Sequence, residues 1–158
     1  MVYYAYFHSR VQYGSELYTT ANKKSIKSIQ VKQNRSLKVL FNKDFYTPTT
    51  TLHKELKLPL VHDIGKINAL KLVHKIINKQ APEAFENYFT SNKDIPGRRA
   101  GTRQDNNLAT SKYKSDTAKK MFKYRGATFW NSVSQEVKNT KDTSLFGKII
   151  KQSIIASY

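Results

Sequence analysis

Carboxylate side chains that could hold a catalytic metal are few and scattered in this sequence. The chain of 158 residues has 11 Asp and Glu against 28 Lys and Arg, and it contains no Asp-Asp, Asp-x-Asp or Glu-x-Asp motif. Polymerases and nucleases bring two or more carboxylates together around divalent metals. The close pair Glu83 and Glu86 has the spacing of an exposed first helical turn, where the helix dipole favours acids. We therefore predict no metal site in this chain.

Histidine and cysteine chemistry is equally limited. The absence of cysteine excludes a disulfide scaffold, a thiolate metal site and a cysteine nucleophile. The histidines, His8, His53, His62 and His74, show no zinc-site spacing, and no acid near His8-Ser9 completes a triad. His74 lies on an apolar helical stripe and is predicted to be a packed core residue. Six scattered glycines form no phosphate loop, so we predict no cofactor, and the chain taken alone gives no sign of being an enzyme.

Basic residues are the remaining functional signal, and they are concentrated in two segments. The net charge is +17; residues 19–43 carry seven basic and no acidic residues, and residues 90–125 carry ten basic and three acidic residues. This distribution favours one polyanion-binding surface built from both segments. Lysine outnumbers arginine 22 to 6, which an A/T-rich coding sequence would also produce, so a merely solubilising charge stays open.

The candidate nucleic-acid contacts are cations and aromatic residues of these two segments. Aromatic rings can stack on bases, and arginine can clamp phosphates, which gives sequence-tolerant binding of single strands. The candidates are Lys23, Lys24, Lys27, Arg35, Lys38, Arg98, Arg99, Arg103, Tyr113, Lys123, Tyr124 and Arg125. For Phe122, Phe129 and Trp130 a place in the core is the alternative, and it is the favoured one for Trp130.

Helices are predicted to position the first basic segment. The aromatic run from Val2 to Tyr13 contains no turn residue, which favours a helix. A second helix of about 18 residues, capped by Ser25 and ended by Tyr46-Thr47-Pro48, is predicted from an apolar seam. The seam consists of Ile26, Ile29, Gln33, Leu37 and Leu40. The basic face of this helix is either a solvated face or a phosphate-binding face.

The middle of the chain is predicted to form the core. A short helix covers about residues 50–56, and Pro59 opens a long core helix that Ala81-Pro82 ends. One or two further turns follow at residues 83–89. The polar, turn-rich stretch at about 90–115 is predicted to be a long basic loop, and loops of this length are uncommon unless they are functional or disordered.

The C-terminal third is predicted to contain three short helices. The first runs from Ser115 towards Tyr124 and is interrupted by Gly126, before an aromatic corner at 129–132. The second covers residues 134–138. The last covers residues 144–157 and places on one face the residues Phe146, Ile149, Ile150, Ser153 and Ile154.

The predicted fold class is mostly α, with one helical domain over residues 1–158 and room for one or two short strands near residues 100–128. No apolar stretch has the 18 to 20 or so residues that a membrane span requires, and residues 1–13 do not form a secretory signal. We therefore expect an intracellular protein, in the nucleus or the cytoplasm, with no membrane partner.

Short motifs occur in order along nearly the entire chain. They are Tyr4-Ala5, His8-Ser9, Tyr13-Gly14, Glu16-Leu17-Tyr18, Gln33-Asn34-Arg35, Tyr46-Thr47-Pro48-Thr49, Leu58 to Leu72, Thr102-Arg103, Asn107-Leu108, Tyr124-Arg125-Gly126-Ala127, Trp130-Asn131-Ser132 and Phe146 to Lys151. In this order they resemble the region that follows the palm in reverse transcriptases of non-LTR (LINE-type, jockey-like) retrotransposons. The chain departs from the family pattern at Tyr18-Thr19, Ala100-Gly101 and Val133-Ser134.

The resemblance implies the thumb-side, C-terminal region of an RNA-directed DNA polymerase. The catalytic aspartate pair, the fingers and the palm would then lie upstream of Met1, and this chain would be a fragment without the active centre. The expected partners are the missing palm and RNA or an RNA–DNA hybrid, gripped through the two basic segments.

Two other interpretations stay open. The chain is either a non-functional or repurposed helical remnant of a truncated transposable element, with no binding role, or part of an enzyme whose catalytic half is encoded just upstream. A remnant that is basic through codon bias predicts weak RNA affinity.

Overall fold

The structure is a computed structural model that describes residues 2–19, 23–96, 105–110 and 113–158, with only the backbone of Lys23. Helices dominate the described residues, which confirms the mostly α fold class. The α-helices are α1 (Ser9–Gln12), α2 (Ser15–Tyr18), α3 (Lys23–Leu40), α4 (Thr49–Glu55), α5 (Val61–Ile77), α6 (Asp116–Lys120), α7 (Phe122–Asn131), α8 (Gln135–Lys138) and α9 (Thr143–Ala156).

Shorter helical elements complete the described structure. Tyr3–His8 is a π-helix that runs directly into α1, and Glu83–Phe85 and Asn92–Asp94 are 3-10 turns. No strand occurs in the described part of residues 100–128; Ser91 and Leu108 form an isolated antiparallel bridge instead. The described part of the predicted long loop therefore carries one 3-10 turn and this bridge.

The chain forms two compact units. Unit 1 consists of residues 1–68 and 148–158, and unit 2 consists of residues 69–147. The single domain expected from the sequence stays a prediction.

Two apolar clusters of described residues lie in the core of unit 1. The Tyr3 cluster contains Tyr3, Leu37, Leu52 and Leu58, and the Val11 cluster contains Val11, Val61 and Ile64. Phe7 packs against both clusters. Burying each large side chain contributes about 1.5–3 kcal/mol. The predicted N-terminal helix is thus confirmed, and Tyr3, Phe7 and Val11 on one side of it pack into the core of unit 1.

Helix α3 has the predicted length of 18 residues, but both of its predicted ends are wrong. Ser25 lies inside the helix and does not cap it. The helix ends at Leu40 because Asn42 adopts a left-handed conformation (φ 48°) and the Lys43 N–H donates to the Lys38 carbonyl at 2.9 Å. This is a Schellman termination, in which the left-handed residue turns the chain away from the helix. Leu40, predicted for the apolar seam, is exposed.

Helices α4 and α5 end in the same way. Lys57 (φ 52°) follows α4, and Lys79 (φ 55°) follows α5. The α5 helix begins at Val61 and ends at Ile77, inside the predicted boundaries at Pro59 and Ala81-Pro82. A left-handed residue therefore ends each of these helices before the next proline is reached.

The core of unit 2 surrounds His74 and Trp130. His74 is fully buried, its ring stacks on Phe146 with centroids 4.4 Å apart, and Trp130 is 4% exposed. Both residues were predicted for the core, and both predictions are confirmed. Trp130 and Phe146 also face each other with ring centroids 5.9 Å apart.

The predicted interruption at Gly126 is wrong. Helix α7 runs through Gly126 to Asn131, so the predicted aromatic corner is helical, and the break falls at Met121, which adopts an extended conformation. Gly126 is a packing position, because a Cβ atom there would lie 2.9 Å from Val73 Cγ2 and 3.0 Å from Phe89 Cζ. The small residue allows the helix to approach its neighbours closely.

The last two helices lie close to their predicted positions. Helix α8 follows Ser134 as predicted, and α9 starts one residue before the predicted Ser144. Asp142 caps α9 by accepting hydrogen bonds from the backbone N–H groups of Ser144 at 2.8 Å and Leu145 at 3.3 Å. Ser153, predicted for the apolar face of α9, is exposed.

Candidate nucleic-acid interface

Helix α3 is anchored through the side that faces away from its lysines. Gln33 is fully buried, and its Nε2 donates hydrogen bonds to the Tyr3 hydroxyl at 2.7 Å and to the Pro59 carbonyl at 3.0 Å. Leu37, one turn later, is fully buried in the Tyr3 cluster. A buried amide without partners would cost about 1–3 kcal/mol. These bonds therefore fix the rotation of α3 about its axis.

Gln30 provides a second anchor one turn earlier. Its Oε1 accepts a hydrogen bond at 2.8 Å from the backbone N–H of Val61, the first residue of α5. Its Nε2 donates to Gln33 Oε1 at 2.7 Å and to Asn34 Oδ1 at 2.8 Å. The Gln30 side chain thus provides an acceptor for a backbone N–H at the start of α5, which has no partner within the helix.

His53 extends this polar network to α4. Its Nδ1 lies 2.9 Å from the Leu58 carbonyl, and its Nε2 lies 2.9 Å from Asn34 Oδ1. Burial lowers the pKa of His53 below its ordinary value, although the bond to Leu58 and the charge of Asp63 oppose this effect. The ring is therefore neutral at physiological pH and acts as a structural element.

The opposite side of α3 presents cations to solvent. We call Lys24, Lys27, Lys32 and Arg35, all exposed, the α3 basic face. They extend over about 16 Å of helix, at 1.5 Å per residue, and α3 contains no acidic residue. Lys38 differs, because its Nζ donates to the Phe45 carbonyl and lies 5.4 Å from the centroid of the Phe45 ring.

Three residues of the α3 basic face have no acidic partner among the described residues. Lys27, Lys32 and Arg35 form no ion pair with any described residue, whereas Lys43 pairs with Glu55 at 2.6 Å. Other acids serve local structure, as Asp142 does at the start of α9. The positive charge of Lys27, Lys32 and Arg35 is therefore available to an external anion.

An open groove of about 620 Å³ lies beside the α3 basic face. Lys32 and Arg35 belong both to the face and to the groove. The other residues that line this groove, which we call the Tyr6 groove, are Val2, Tyr3, Tyr6, Phe7, Ser36, Val39 and Leu40. Tyr6 is 72% exposed and Val39 is 74% exposed. Unit 1 thus joins an apolar, aromatic surface directly to unpaired cations.

The described candidates of the second basic segment are partly engaged within unit 2. Tyr113 and Tyr124 pack edge to face with centroids 5.8 Å apart, and both are half-buried. Lys123 Nζ lies 5.6 Å from the centroid of the Tyr88 ring. Arg125 lies 5.1 Å from the centroid of the Phe129 ring, and burial lowers its pKa from the ordinary value. Lys123 is exposed and so remains accessible to a ligand.

Several predicted contacts lie outside the described residues. They are Arg98, Arg99 and Arg103, together with the side chain of Lys23. The segment that follows the arginines is attached to α7, because the Asn131 side chain makes two hydrogen bonds with the backbone of Leu108. Asn131 Oδ1 accepts from the Leu108 N–H at 2.8 Å, and Nδ2 donates to its carbonyl at 2.9 Å.

Metal ligands do not cluster in the described ranges. No group of three histidines or carboxylates is brought together there. The two ring nitrogens of His74 have protein partners: Nδ1 lies 2.9 Å from Thr143 Oγ1, and Nε2 lies 2.6 Å from the Thr140 carbonyl. No described helix has both the length and the apolar character that crossing a bilayer requires.

Sequence reasoning missed the polar network and the Tyr6 groove. Gln33 interrupts an otherwise apolar seam, and this interruption was the available signal that a buried amide anchors α3. No signal pointed to the groove, because Tyr6 and Val39 come from different helices and only packing brings them together.

Comparisons with known proteins give no relative. The sequence matches no protein-family model, and neither the curated proteins nor the solved structures provide a match.

Proposed function

We propose that this chain is a nucleic-acid-binding region of a non-LTR retrotransposon reverse transcriptase, on the thumb side of the polymerase. It grips RNA or an RNA–DNA hybrid and performs no chemistry itself. The assignment to this family rests on the ordered motifs of the sequence. The binding role rests on the α3 basic face, where exposed cations on one side of a rigidly anchored helix have no acidic neighbours in the helix.

Binding through this face would be directed mainly at phosphates. Lysine is a point charge that attracts phosphate without reading base identity, whereas Arg35 adds one bidentate donor. Four such contacts to a single strand give a slope of log affinity against log salt of about −3, so affinity falls about 50-fold between 50 and 200 mM salt.

The test is fluorescence anisotropy with a labelled single-stranded RNA and an RNA–DNA hybrid at several salt concentrations. The variant Lys27→Gln, Lys32→Gln, Arg35→Gln is expected to weaken binding and to reduce the magnitude of the salt slope by about 2. The matched control is Lys75→Gln, Lys141→Gln, Lys148→Gln, which removes the same charge at exposed positions outside α3. The control is expected to keep most of the affinity and slope.

Two results would overturn the proposal. Binding that is absent at low salt, or that does not depend on salt, favours a helical remnant without a binding role. Equal loss in the triple variant and in its control would assign the affinity to net charge rather than to the α3 basic face.

A further inference from the structure

The Tyr6 groove combines three properties that a nucleobase site requires. Its volume of about 620 Å³ is within the range of roughly 300–1,000 Å³ that small ligands occupy. Its apolar floor includes Tyr3 and Phe7, whose rings stack with centroids 5.7 Å apart at an interplanar angle of 21°. Tyr6 adds an aromatic ring that is 72% exposed, and every base has a π-face that can stack on such a ring.

The floor of the groove is rigid. The Tyr3 hydroxyl accepts the hydrogen bond from Gln33, and Tyr3 is 4% exposed. Burial raises the pKa of this hydroxyl, although the bond from Gln33 opposes the shift, so the ring stays neutral. Because the floor is already ordered, no entropy is lost in ordering these side chains when a ligand binds.

The rim of the groove selects for an anionic ligand. Lys32 and Arg35 are the charged residues that line it, and no acidic residue does. The same two cations belong to the α3 basic face, which continues along the helix to Lys27 and Lys24. A polymer that alternates flat apolar bases with phosphates therefore matches the groove and the face together.

A second copy of this chain fits the groove poorly. Pairing two identical surfaces would place the α3 basic faces of both copies against each other, and like charges at close range are unfavourable. The net charge of +17 adds long-range repulsion between two copies.

We infer that the Tyr6 groove takes an unpaired base of a single-stranded nucleic acid, while the α3 basic face holds the adjacent phosphates. This inference rests on the proposed function and adds to it a preference for unpaired strands. Bases in a duplex are already stacked and paired, so a duplex can use the cations but not the groove.

The experiment measures the affinity of the full chain for three labelled probes at low salt. They are an oligo(U) single strand, an abasic strand of the same length and charge, and a duplex. The oligo(U) probe is expected to bind most tightly. Tyr6→Ala should weaken oligo(U) binding by about 5- to 150-fold, the range for loss of one base–aromatic stack. The abasic probe should be unaffected by this substitution.

Three further variants sharpen the test. Tyr6→Phe keeps the ring and should keep the affinity. Tyr13→Ala removes an equally accessible tyrosine (88% exposed) that does not line the groove, and it should leave all three affinities unchanged. Val39→Asp places an anion in the groove and should weaken oligo(U) binding without loss of the helical circular dichroism signal.

The outcomes separate this inference from the proposed function. If no probe binds, both fail. If the abasic strand binds as tightly as oligo(U), or if Tyr6→Ala has no effect on oligo(U), phosphate binding stands and the base site is wrong. If Tyr6→Ala weakens the binding of an acidic amphipathic peptide but not that of oligo(U), the groove belongs to a protein partner and the inference is overturned.

Discussion

The Nε2 atom of Gln33 donates a hydrogen bond of 2.7 Å to the hydroxyl of Tyr3, 30 residues away in the chain. Both residues are buried, and they join the N-terminal π-helix to α3. The same bond supports the floor of the Tyr6 groove and the orientation of the α3 basic face. This buried polar contact therefore supports both the packing of unit 1 and the geometry of the proposed binding surface.

Replacing Gln33 with leucine is expected to destabilise the chain by about 2–4 kcal/mol, because the Tyr3 hydroxyl and the Pro59 carbonyl lose their donor inside the core. Tyr3→Phe should cost only about 0.5–1.5 kcal/mol, since Gln33 keeps its bond to Pro59. Urea unfolding followed by circular dichroism measures both. A Gln33→Leu variant as stable as wild type would contradict the anchoring role.

Gly126→Ala is expected to destabilise unit 2 by about 1–3 kcal/mol, because the added Cβ would overlap Val73 and Phe89 in a packed core. Gly147→Ala is the matched control in another helix. Its Cβ would meet Lys71 Cε at 2.0 Å, a flexible side chain that can move aside, so the higher helix propensity of alanine should stabilise by up to about 1 kcal/mol. Thermal unfolding of the two variants should shift in opposite directions, and a shift in the same direction would argue against this packing.

Lys57→Gly and Lys79→Gly are each expected to stabilise the chain by about 0.5–1 kcal/mol. Both lysines have positive φ angles, and glycine adopts this conformation without the steric cost of a Cβ. Lys57→Ala removes the same charge but keeps the Cβ, so it should bring no gain. Chemical denaturation of the three variants makes the comparison, and equal effects of Lys57→Gly and Lys57→Ala would refute a conformational cause.

His53 makes stability depend on pH in the acidic range. Its folded-state pKa is lowered, so above about pH 6.5 the ring is neutral in both the folded and unfolded states and contributes no pH dependence. Below that pH the unfolded chain takes up a proton that the folded chain resists, and stability falls by at most about 1.4 kcal/mol per pH unit until the folded pKa is reached.

Urea unfolding of wild type and His53→Gln between pH 7 and pH 5 measures this contribution. The wild type should lose more stability than the variant over this range, since the other titrating groups are common to both proteins. Identical pH profiles would show that His53 does not resist protonation in the folded state.

Asn131→Ala is expected to release the backbone of Leu108 from α7. The substitution removes both hydrogen bonds, so the Leu108 N–H loses its acceptor and the Leu108 carbonyl loses its donor. Because Leu108 is buried, the cost is about 1–3 kcal/mol. Hydrogen exchange of the Leu108 amide should accelerate more than that of core amides in α5. Unchanged exchange at Leu108 would mean that the Asn131 side chain does not hold this segment.

Helix formation followed from local pattern, and helix ends did not. The spacing of Ile26, Ile29 and Leu37 predicted α3 correctly, because amphipathic periodicity is a property of neighbouring residues. The helix ends at Leu40 because Asn42 adopts a left-handed conformation. The sequence instead points to Pro48, six residues later, as the signal for the end of the helix. Gly126 was misread for a related reason, since a glycine that breaks a helix and one that permits close packing look identical in sequence.

The sequence by itself determined the mostly α fold, the core positions of His74 and Trp130, and the concentration of positive charge in two segments. These features depend on composition and on contacts between residues close in the chain. Only the tertiary structure decided that Gln33 anchors α3 to Tyr3 and Pro59, and that Tyr6 and Val39 share a groove with Lys32 and Arg35. Those relationships arise from buried hydrogen bonds between distant residues, such as Gln33 and Tyr3, whose partners no local pattern specifies.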